Sequence, residues 1–241
     1  MKRLFRKFRL WVIRHLCCKQ ALLVDKLSSI CILAPHPDDE TLGCGQLIYE
    51  ICHNGGDCQV IVISDGEGSH RGCCKTEAKD IVEGRKASCR MAMEKLGLPA
   101  ENLKFLGIPD GELLANEDII FDRVKQILGN FHGILLVPHE QEGWKDHLTV
   151  HHVGKRIAEK TGCHLLFYCV WFYFSMPFRK FLRVIWSSAR ILRCEEALEK
   201  KRLALSIYQN EKAPCGKPYA GVLPDLLWKA VNDEREVYFE E

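Results

Sequence analysis

Short apolar segments alternate with longer amphipathic segments along most of this 241-residue chain. The apolar segments end in turn-forming or acidic residues, and the amphipathic segments have the spacing of helices that bury one face. Strands that alternate with helices favour a parallel or mostly parallel sheet that is covered by helices on both faces. We therefore predict an α/β fold with strands over residues 30–34, 60–63, 103–108, 134–137 and 165–171, and helices over residues 42–52, 76–96, 119–128, 148–160 and 195–208.

No linker, repeat or low-complexity tract divides the chain after its first residues. We expect one domain over residues 26–241, preceded by a basic amphipathic segment over residues 1–25. The formal net charge of +2 gives no reason to expect a nucleic-acid partner.

The first 20 residues contain seven basic side chains and no acidic one. On a helical wheel, residues 2–16 separate into an apolar and a basic arc, with Leu10, Ile13 and His15 as exceptions. Residues 178–193 show a second such pattern. Two interpretations stay open: both segments lie on an anionic membrane surface, or both pack their apolar faces on the protein's own core. The apolar arc consists of Leu4, Phe5, Phe8, Trp11, Val12 and Leu16, and the basic arc of Lys2, Arg3, Arg6, Lys7, Arg9 and Arg14.

Thirteen cysteines are present, but no Cys-x-x-Cys pair occurs, and several cysteines lie among apolar residues. This placement favours reduced thiols in a cytoplasmic protein over a disulfide framework or a cysteine zinc cluster. Arg14 and His15 interrupt the apolar run that a signal peptide needs after its basic start. Residues 165–178 form the longest uncharged apolar run, which is too short to span a bilayer. We therefore expect a cytoplasmic protein, with any membrane contact peripheral and at the cytoplasmic face.

Polar side chains cluster at the ends of the predicted strands, where parallel sheets bind their ligands. The densest cluster is His36, Asp38, Asp39 and Glu40, four ionisable side chains within five positions after the first strand. Burying several carboxylates without a counter-charge is costly, and a divalent cation offsets that cost. The other clusters are Asp65, Asp110 and residues 139–147.

The spacing within this cluster predicts a metal site. His36 and Asp39 are three residues apart, so one turn can direct both at the same ion while Asp38 stays off the metal. His147 then completes a two-histidine, one-carboxylate set that leaves coordination positions open for water and substrate. The alternative interpretation is a charged loop whose aspartates cap the next helix.

The same residues carry a resemblance to a known family. His36-Pro37-Asp38-Asp39-Glu40, followed by Leu42-Gly43-Cys44-Gly45, closely resembles the opening motif of the LmbE/PIG-L-like deacetylases, which include the N-acetylglucosaminyl-phosphatidylinositol deacetylase. The similarity covers residues 30–210. Its less specific elements are Ser64-Asp65-Gly66, Arg85 ahead of Leu96-Gly97, Asp110, Asp146-His147 and residues 201–209.

The resemblance implies a Rossmann-like three-layer sandwich and zinc-dependent hydrolysis of an acetamide on an amino sugar. Zn²⁺, or another divalent ion such as Fe²⁺, is expected to bind to His36, Asp39 and His147. Asp38 is expected to take a proton from the attacking water and to return it to the leaving amine.

Three further residues receive supporting roles from the same resemblance. Asp146 is expected to contribute to catalysis by orienting His147 or a neighbouring group. Arg85 and Asp110 are expected to bind the substrate or to support the residues that do.

The chain departs from the family pattern at two positions. Trp144 stands where relatives have a histidine that stabilises the tetrahedral oxyanion, and Ser88 stands where many have a glutamate. His139 or His151 is the candidate replacement for the missing histidine. The predicted substrate-binding residues are therefore Arg85, Asp110, His139, Trp144 and His151.

We accordingly expect an N-deacetylase of an N-acetylated amino sugar, which is free, lipid-linked or part of a glycoconjugate. The alternatives are a metal hydrolase of another amide or acyl bond and a non-catalytic, metal-bearing binding protein, which Trp144 keeps open. Residues 43–45 do not predict a dinucleotide site, because three carboxylates precede them and the full glycine motif is missing. Residues 200–202 are expected to form a solvated helix face.

Overall fold

One eight-stranded sheet forms the centre of the computed structural model, which describes residues 2–13, 15, 20–24, 27–72 and 76–241. The strands, in chain order, are β1 (Gln20–Ala21), β2 (Ser29–Ala34), β3 (Asp57–Ser64), β4 (Leu103–Ile108), β5 (Ile134–Pro138), β6 (His164–Tyr168), β7 (Ala189–Leu192) and β8 (Glu236–Glu240). Their order across the sheet is β1-β7-β8-β6-β5-β2-β3-β4. Neighbouring strands are parallel except where β8 pairs with β6 and β7.

Helices cover both faces of this sheet. They are α1 (Lys2–Val12), α2 (Asp39–His53), α3 (Ala78–Lys95), α4 (Glu117–Leu128), α5 (Lys145–Thr161), α6 (Phe172–Ser175), α7 (Phe178–Phe181), α8 (Glu195–Asn210) and α9 (Asp225–Val231). α2 and α3 pack with α8 over one face, and α4 packs with α5 over the other. The structure thus confirms the predicted three-layer α/β fold with a mostly parallel sheet.

The central strands are apolar along almost their whole length because helices bury them from both sides. In β2, the side chains from Ile30 to Ala34 are fully buried, and β3 supplies the β-branched run of residues 60–63. The five strands and five helices of the expected alternating pattern are all present, and their bounds differ from the expected ones by at most three residues.

The strand order places a ligand site at one position along the sheet. β2 has β3 and β5 as its two neighbours, so the chain builds outward from β2 to β4 on one side and from β5 to β6 on the other. The crevice outside the carboxyl ends of β2 and β5 is therefore the switch point at which such sheets bind ligands.

The amphipathic helix expected over residues 178–193 is not formed. α7 ends after one turn, and residues 189–192 form strand β7 between β1 and β8. Main-chain hydrogen bonds to these two strands outweigh the helical periodicity of the segment, because periodicity alone does not report tertiary pairing.

The N-terminal segment packs against the domain through α1 and β1. β1 pairs with β7 at the edge of the sheet, and α1 contacts α6 and α9. Arg9 is buried and donates hydrogen bonds to the backbone oxygens of Tyr173 and Met176, and Leu10 and Ile13 are buried beside it. The predicted arcs also include Arg14 and Leu16, which lie outside the described residues. Among the described helices, none has the length and apolar composition needed to cross a bilayer.

Candidate active site

The loop after β2 holds Asp38 in an unusual backbone conformation. Asp38 has a φ of 144°, a region that residues with a side chain rarely occupy. Its N–H donates to Glu40 Oε2 at 2.9 Å, and Arg85 Nη2 lies 3.2 Å from Asp38 Oδ2. The same guanidinium donates to the backbone oxygens of Pro37 at 2.7 Å and Gly66 at 2.9 Å. Backbone strain of this kind persists where surrounding contacts fix it, which is common at functional sites.

Asp39 lies between two imidazoles. Its Oδ2 atom is 3.1 Å from His36 Nδ1 and 3.2 Å from His147 Nε2. One ligand atom from each of the three side chains lies within 4.8 Å of the others. The structure thus brings together the three residues that the sequence predicts as metal ligands: His36 from the loop after β2, Asp39 from the first position of α2, and His147 from the first turn of α5.

The outer nitrogen of His36 faces two further carboxylates. His36 Nε2 is 3.3 Å from Asp110 Oδ1 and 3.4 Å from Asp146 Oδ2. Backbone amides hold both carboxylates in place: Gly68 N donates to Asp110 at 3.0 Å and Gly111 N to Asp146 at 2.9 Å. These residues form a second group with metal-compatible spacing that shares His36 with the first. Carboxylates placed this way orient a metal-binding imidazole.

Glu142 performs the corresponding role for His147. Its Oε2 atom lies 3.3 Å from His147 Nδ1, and the fully buried carboxylate accepts the backbone N–H groups of residues 170–172 at 2.8, 2.6 and 3.1 Å. Sequence reasoning expected Asp146 to orient His147 or a neighbouring group, and in the structure Asp146 lies beside His36 rather than His147. It missed Glu142, for which the only signal was its place in the polar segment 139–147.

The electrostatics of the site favour a cation. Burial opposes protonation of His147, but Asp39 and Glu142 raise its pKa to about 9. Burial alone would raise the pKa of Asp39, but the two histidines hold it well below its usual range. Burial raises the pKa of Asp38 to about 8, although the charge of Arg85 opposes this shift. The carboxylates give the pocket a negative electrostatic potential that favours a positive charge beside them. Together with two imidazoles, they form a donor set that suits a divalent ion.

A cavity of about 600 Å³ opens onto these residues. Trp144 is half exposed at its wall, and its ring lies 5.2 Å from that of Trp171. Arg71 also lines the cavity, and sequence reasoning missed both Arg71 and Trp171. The predicted site residues among its lining are His36, Asp38, Asp39, Arg85, Asp110, Trp144, Asp146 and His147.

The two histidines considered as replacements lie away from the cavity. His139 packs against phenylalanine rings of β6, α6 and β8, and burial lowers its pKa to about 4. His151 uses Nδ1 in a 2.9 Å hydrogen bond with the backbone oxygen of Pro138. Neither residue is part of the cavity lining, so this placement does not support their assignment as substrate-binding residues.

The sequence matches the sequence model of one protein family, GlcNAc-PI de-N-acetylase (PIG-L), over residues 31–158. The chain belongs to this family. The match spans the loop after β2, Arg85, Asp110 and the Asp146-His147 pair, so it includes the three candidate metal ligands, whereas Trp171 lies outside it. A comparison of the sequence with curated proteins gave no match.

Solved structures share the fold of this PIG-L family member at low sequence identity. The N,N'-diacetylchitobiose deacetylase from Pyrococcus horikoshii is 14% identical with a TM-score of 0.61, over 95% of this chain and 82% of that one. The zinc-inhibited form of the teicoplanin deacetylase Orf2 is 11% identical with a TM-score of 0.67, over 88% and 97%. GalB, the 4-carboxy-2-hydroxymuconate hydratase of Pseudomonas putida, is 15% identical with a TM-score of 0.61, over 85% and 82%.

The family match confirms the enzyme class expected from the sequence, an N-deacetylase. The structural similarities show the fold alone, and the presence of a hydratase among them shows that one fold carries different reactions. The substrate must therefore be argued from the residues of the cavity.

Proposed function

We propose that this PIG-L family member is a metal-dependent hydrolase that removes the acetyl group from an N-acetylated amino sugar. The sugar is free, lipid-linked or part of another glycoconjugate. The observation that carries the proposal is the different orientation of two adjacent carboxylates. Asp39 lies between two imidazoles, whereas Asp38 faces Arg85 and the cavity. Hydrolysis of an amide needs this pair of functions, a ligand and a separate proton acceptor.

His36, Asp39 and His147 are the residues that would hold the divalent ion, Zn²⁺ or another ion such as Fe²⁺. A bound ion of this kind lowers the pKa of water and polarises the amide carbonyl. The chain's own contribution is to orient the ligands. Asp110 and Asp146 fix the ring of His36, and Glu142 lies against His147.

Asp38 is the proton-transfer group in this proposal. It accepts a proton from water as the water oxygen attacks the carbonyl carbon of the acetyl group. It then returns a proton to the amide nitrogen as the C–N bond breaks. The products are acetate and the free amine. Arg85 holds Asp38 through the 3.2 Å ion pair and fixes its loop through two backbone oxygens. Arg85 is nearly fully buried, which supports a positioning role rather than direct binding of the sugar.

The wall of the cavity supports a sugar substrate. Trp144 and Trp171 present aromatic rings beside the acidic centre of the site. A pyranose ring has an apolar C–H face that packs on aromatic rings, while its hydroxyl groups suit polar partners such as Arg71 and Asp110. In this proposal Trp144 packs on the sugar ring. It does not supply the oxyanion contact that a histidine is expected to make at this position in relatives.

The thiols support a reducing compartment. The described cysteines are all free, and most of them are buried in the core. Cysteines used as small apolar side chains are typical of cytoplasmic proteins. We therefore place the proposed reaction in the cytoplasm.

The test is release of acetate and free amine by the metal-loaded protein. The substrates are N-acetylglucosamine, N-acetylgalactosamine, their glycoconjugates including N-acetylglucosaminyl-phosphatidylinositol, and N-acetyl amino acids. We expect turnover of at least one acetamido sugar and none of the amino acids. Turnover confined to the amino acids would indicate a hydrolase of another amide. No turnover despite full metal loading would indicate a binding protein.

A further inference from the structure

The outward face of α1 is apolar. Leu4, Phe8 and Trp11 are 74%, 56% and 49% exposed, and Lys7 is exposed between them. These positions follow the i, i+3, i+4, i+7 spacing of one helix face. The inward side is formed by Arg9 together with Leu10 and Ile13, the two apolar residues outside the predicted arc. Leu4, Phe8 and Trp11 of the apolar arc therefore point away from the core, whereas Val12 of the same arc packs partly against it.

A second segment with the same character packs against α1. Residues 171–194 receive the hydrogen bonds of Arg9, and Arg6 Cζ lies 3.7 Å from the ring centroid of Phe174. Leu182 and Ile185 in this segment are large apolar side chains that are mostly exposed. The exposed cations beside them in sequence are Arg179, Lys180 and Arg183. We call the exposed side chains of α1 and of residues 179–185 the basic apolar surface.

The charge of the chain is divided between this region and the rest. Residues 1–24 and 171–194 contain 12 lysines and arginines and no acidic residue. The remaining 193 residues contain 22 basic and 32 acidic residues. The net charge near zero therefore comes from an excess of cations in these two segments and an excess of acids elsewhere, although Arg190 and Arg193 pair with Glu240 and Glu234. Such a distribution orients a protein in an external field even where the total charge is small.

α1 is connected to one wall of the cavity through two aromatic rings. The Phe174 ring under Arg6 packs edge-on against Trp171 at 6.0 Å. Trp171 lines the cavity and contacts Trp144.

We propose that the basic apolar surface docks the protein on an anionic lipid membrane. Large exposed apolar side chains next to exposed cations, Lys7 on α1 and Arg179, Lys180 and Arg183 beside it, match an interface of acyl chains and anionic headgroups. An exposed apolar cluster of this kind also marks a contact site rather than a solvated surface. Nucleic acid would complement the cations but not the outward-facing leucine, phenylalanine and tryptophan side chains of α1.

Vesicle co-sedimentation of the full chain tests the proposal without substrate, so its outcome is independent of the deacetylase activity. The vesicles contain phosphatidylcholine alone or phosphatidylcholine mixed with phosphatidylglycerol. We expect binding to the mixed vesicles, weaker binding to the neutral ones, and a decrease as salt rises, because salt screens the attraction of the cations. Absence of binding to both vesicle types would overturn the proposal.

Paired variants show which surface binds. Phe8→Ser with Trp11→Ser removes apolar contact, and Ile119→Ser with Leu203→Ser is the matched control on side chains of similar exposure. Arg179→Glu with Lys180→Glu reverses charge, and Lys125→Glu with Lys160→Glu makes the same change on exposed lysines elsewhere. Each surface pair should weaken binding to mixed vesicles at least about tenfold: the charge pair because one cation near an anionic surface contributes about fivefold, and the apolar pair because it loses the burial of two large aromatic side chains.

The controls make the result specific. Circular dichroism and thermal unfolding are compared for all variants, so that loss of binding is not confused with loss of the fold. Equal loss in the surface and control pairs would contradict the proposal. A second result would also contradict it: the wild type does not bind vesicles but forms a dimer in analytical ultracentrifugation, and the Phe8→Ser, Trp11→Ser pair dissociates that dimer. A second copy of the chain would then cover the surface.

Discussion

Asp38 and Asp39 are neighbours in the chain, but their side chains face different partners. The carboxylate of Asp39 contacts the imidazoles of His36 and His147, whereas Asp38 pairs with the guanidinium of Arg85 and lines the cavity. Substitution should therefore separate binding of the ion from proton transfer. We expect Asp38→Asn to keep the bound metal and to lose ~10²–10⁴-fold in turnover, the range for a positioned acid–base group. Asp39→Ala should lose both.

The measurement is metal content by mass spectrometry together with acetate release for the two variants. His36→Ala and His147→Ala serve as references that should lose the metal. Equal metal loss in Asp38→Asn and Asp39→Ala would remove the distinction between base and ligand. Retention of wild-type metal content by either histidine variant would show that the ligand assignment is wrong.

Glu142 gives a second prediction for single side chains. Glu142→Gln leaves only one oxygen for the amides of residues 170–172 and removes the negative charge beside His147. We expect metal affinity to fall about 10–100-fold, the usual effect of losing a carboxylate behind a ligand histidine. Competition with a chelator measures it. Glu140→Gln, an exposed carboxylate in the same segment, should leave the affinity unchanged.

For single residues, the sequence predicted the site residues that directly follow a strand and missed those whose role depends on tertiary contacts. His36 and Asp39 follow β2, and His147 follows β5, so alternation of strands and helices was enough to place them together. Glu142 acts through amides 28 to 30 residues further along the chain, which no local pattern reports.

Among the elements, α8 and β8 are joined by a buried ion pair that also binds the backbone of α2. Lys201, expected on a solvated face, is 1% exposed and donates to Leu42 O at 2.9 Å and to Glu236 at 2.7 Å. Glu236 also accepts the backbone N–H groups of residues 46 and 47. A Cβ on Gly45 would lie 2.7 Å from Lys201 Cγ, so the close approach of α8 accounts for this glycine.

Breaking this pair should destabilise the fold. Lys201→Met leaves the Glu236 carboxylate buried without its cation, which costs about 3–5 kcal/mol in the free energy of unfolding. Urea unfolding measures the loss, and Lys200→Met, on the more accessible neighbouring position, is the control. Adding Glu236→Gln to Lys201→Met should recover part of the loss. A cost for Lys201→Met as small as that of the control would contradict a structural role of the pair.

The strands that the sequence missed are those that depend on distant pairing. β8 comes from the end of the chain and inserts antiparallel between β6 and β7, whereas the predicted elements form a local strand–helix alternation. β1 and β7 are two and four residues long, too short for their periodicity to be distinguished from that of a helix or loop.

For the whole molecule, the buried histidines link stability to pH. His139 is held neutral between aromatic rings of β6, α6 and β8, with Glu140 and His151 as the charged or titratable groups that act on it. Burial lowers its pKa from 6.5 to about 4 in the folded protein. Between these values, the unfolded chain binds a proton at this position that the folded protein does not.

The sign of the effect follows directly. The contribution of the neutral His139 to the free energy of unfolding is complete above pH 6.5. It is lost as the pH falls toward 4, by up to about 3 kcal/mol for a pKa shift of this size. We therefore expect His139→Leu to flatten the pH dependence of the free energy of unfolding in this range, whatever its constant cost in packing. His152→Leu, on an exposed histidine, is the control and should retain the wild-type slope. Denaturant unfolding at a series of pH values measures the slopes, and identical slopes for wild type and His139→Leu would show that other groups govern acid stability.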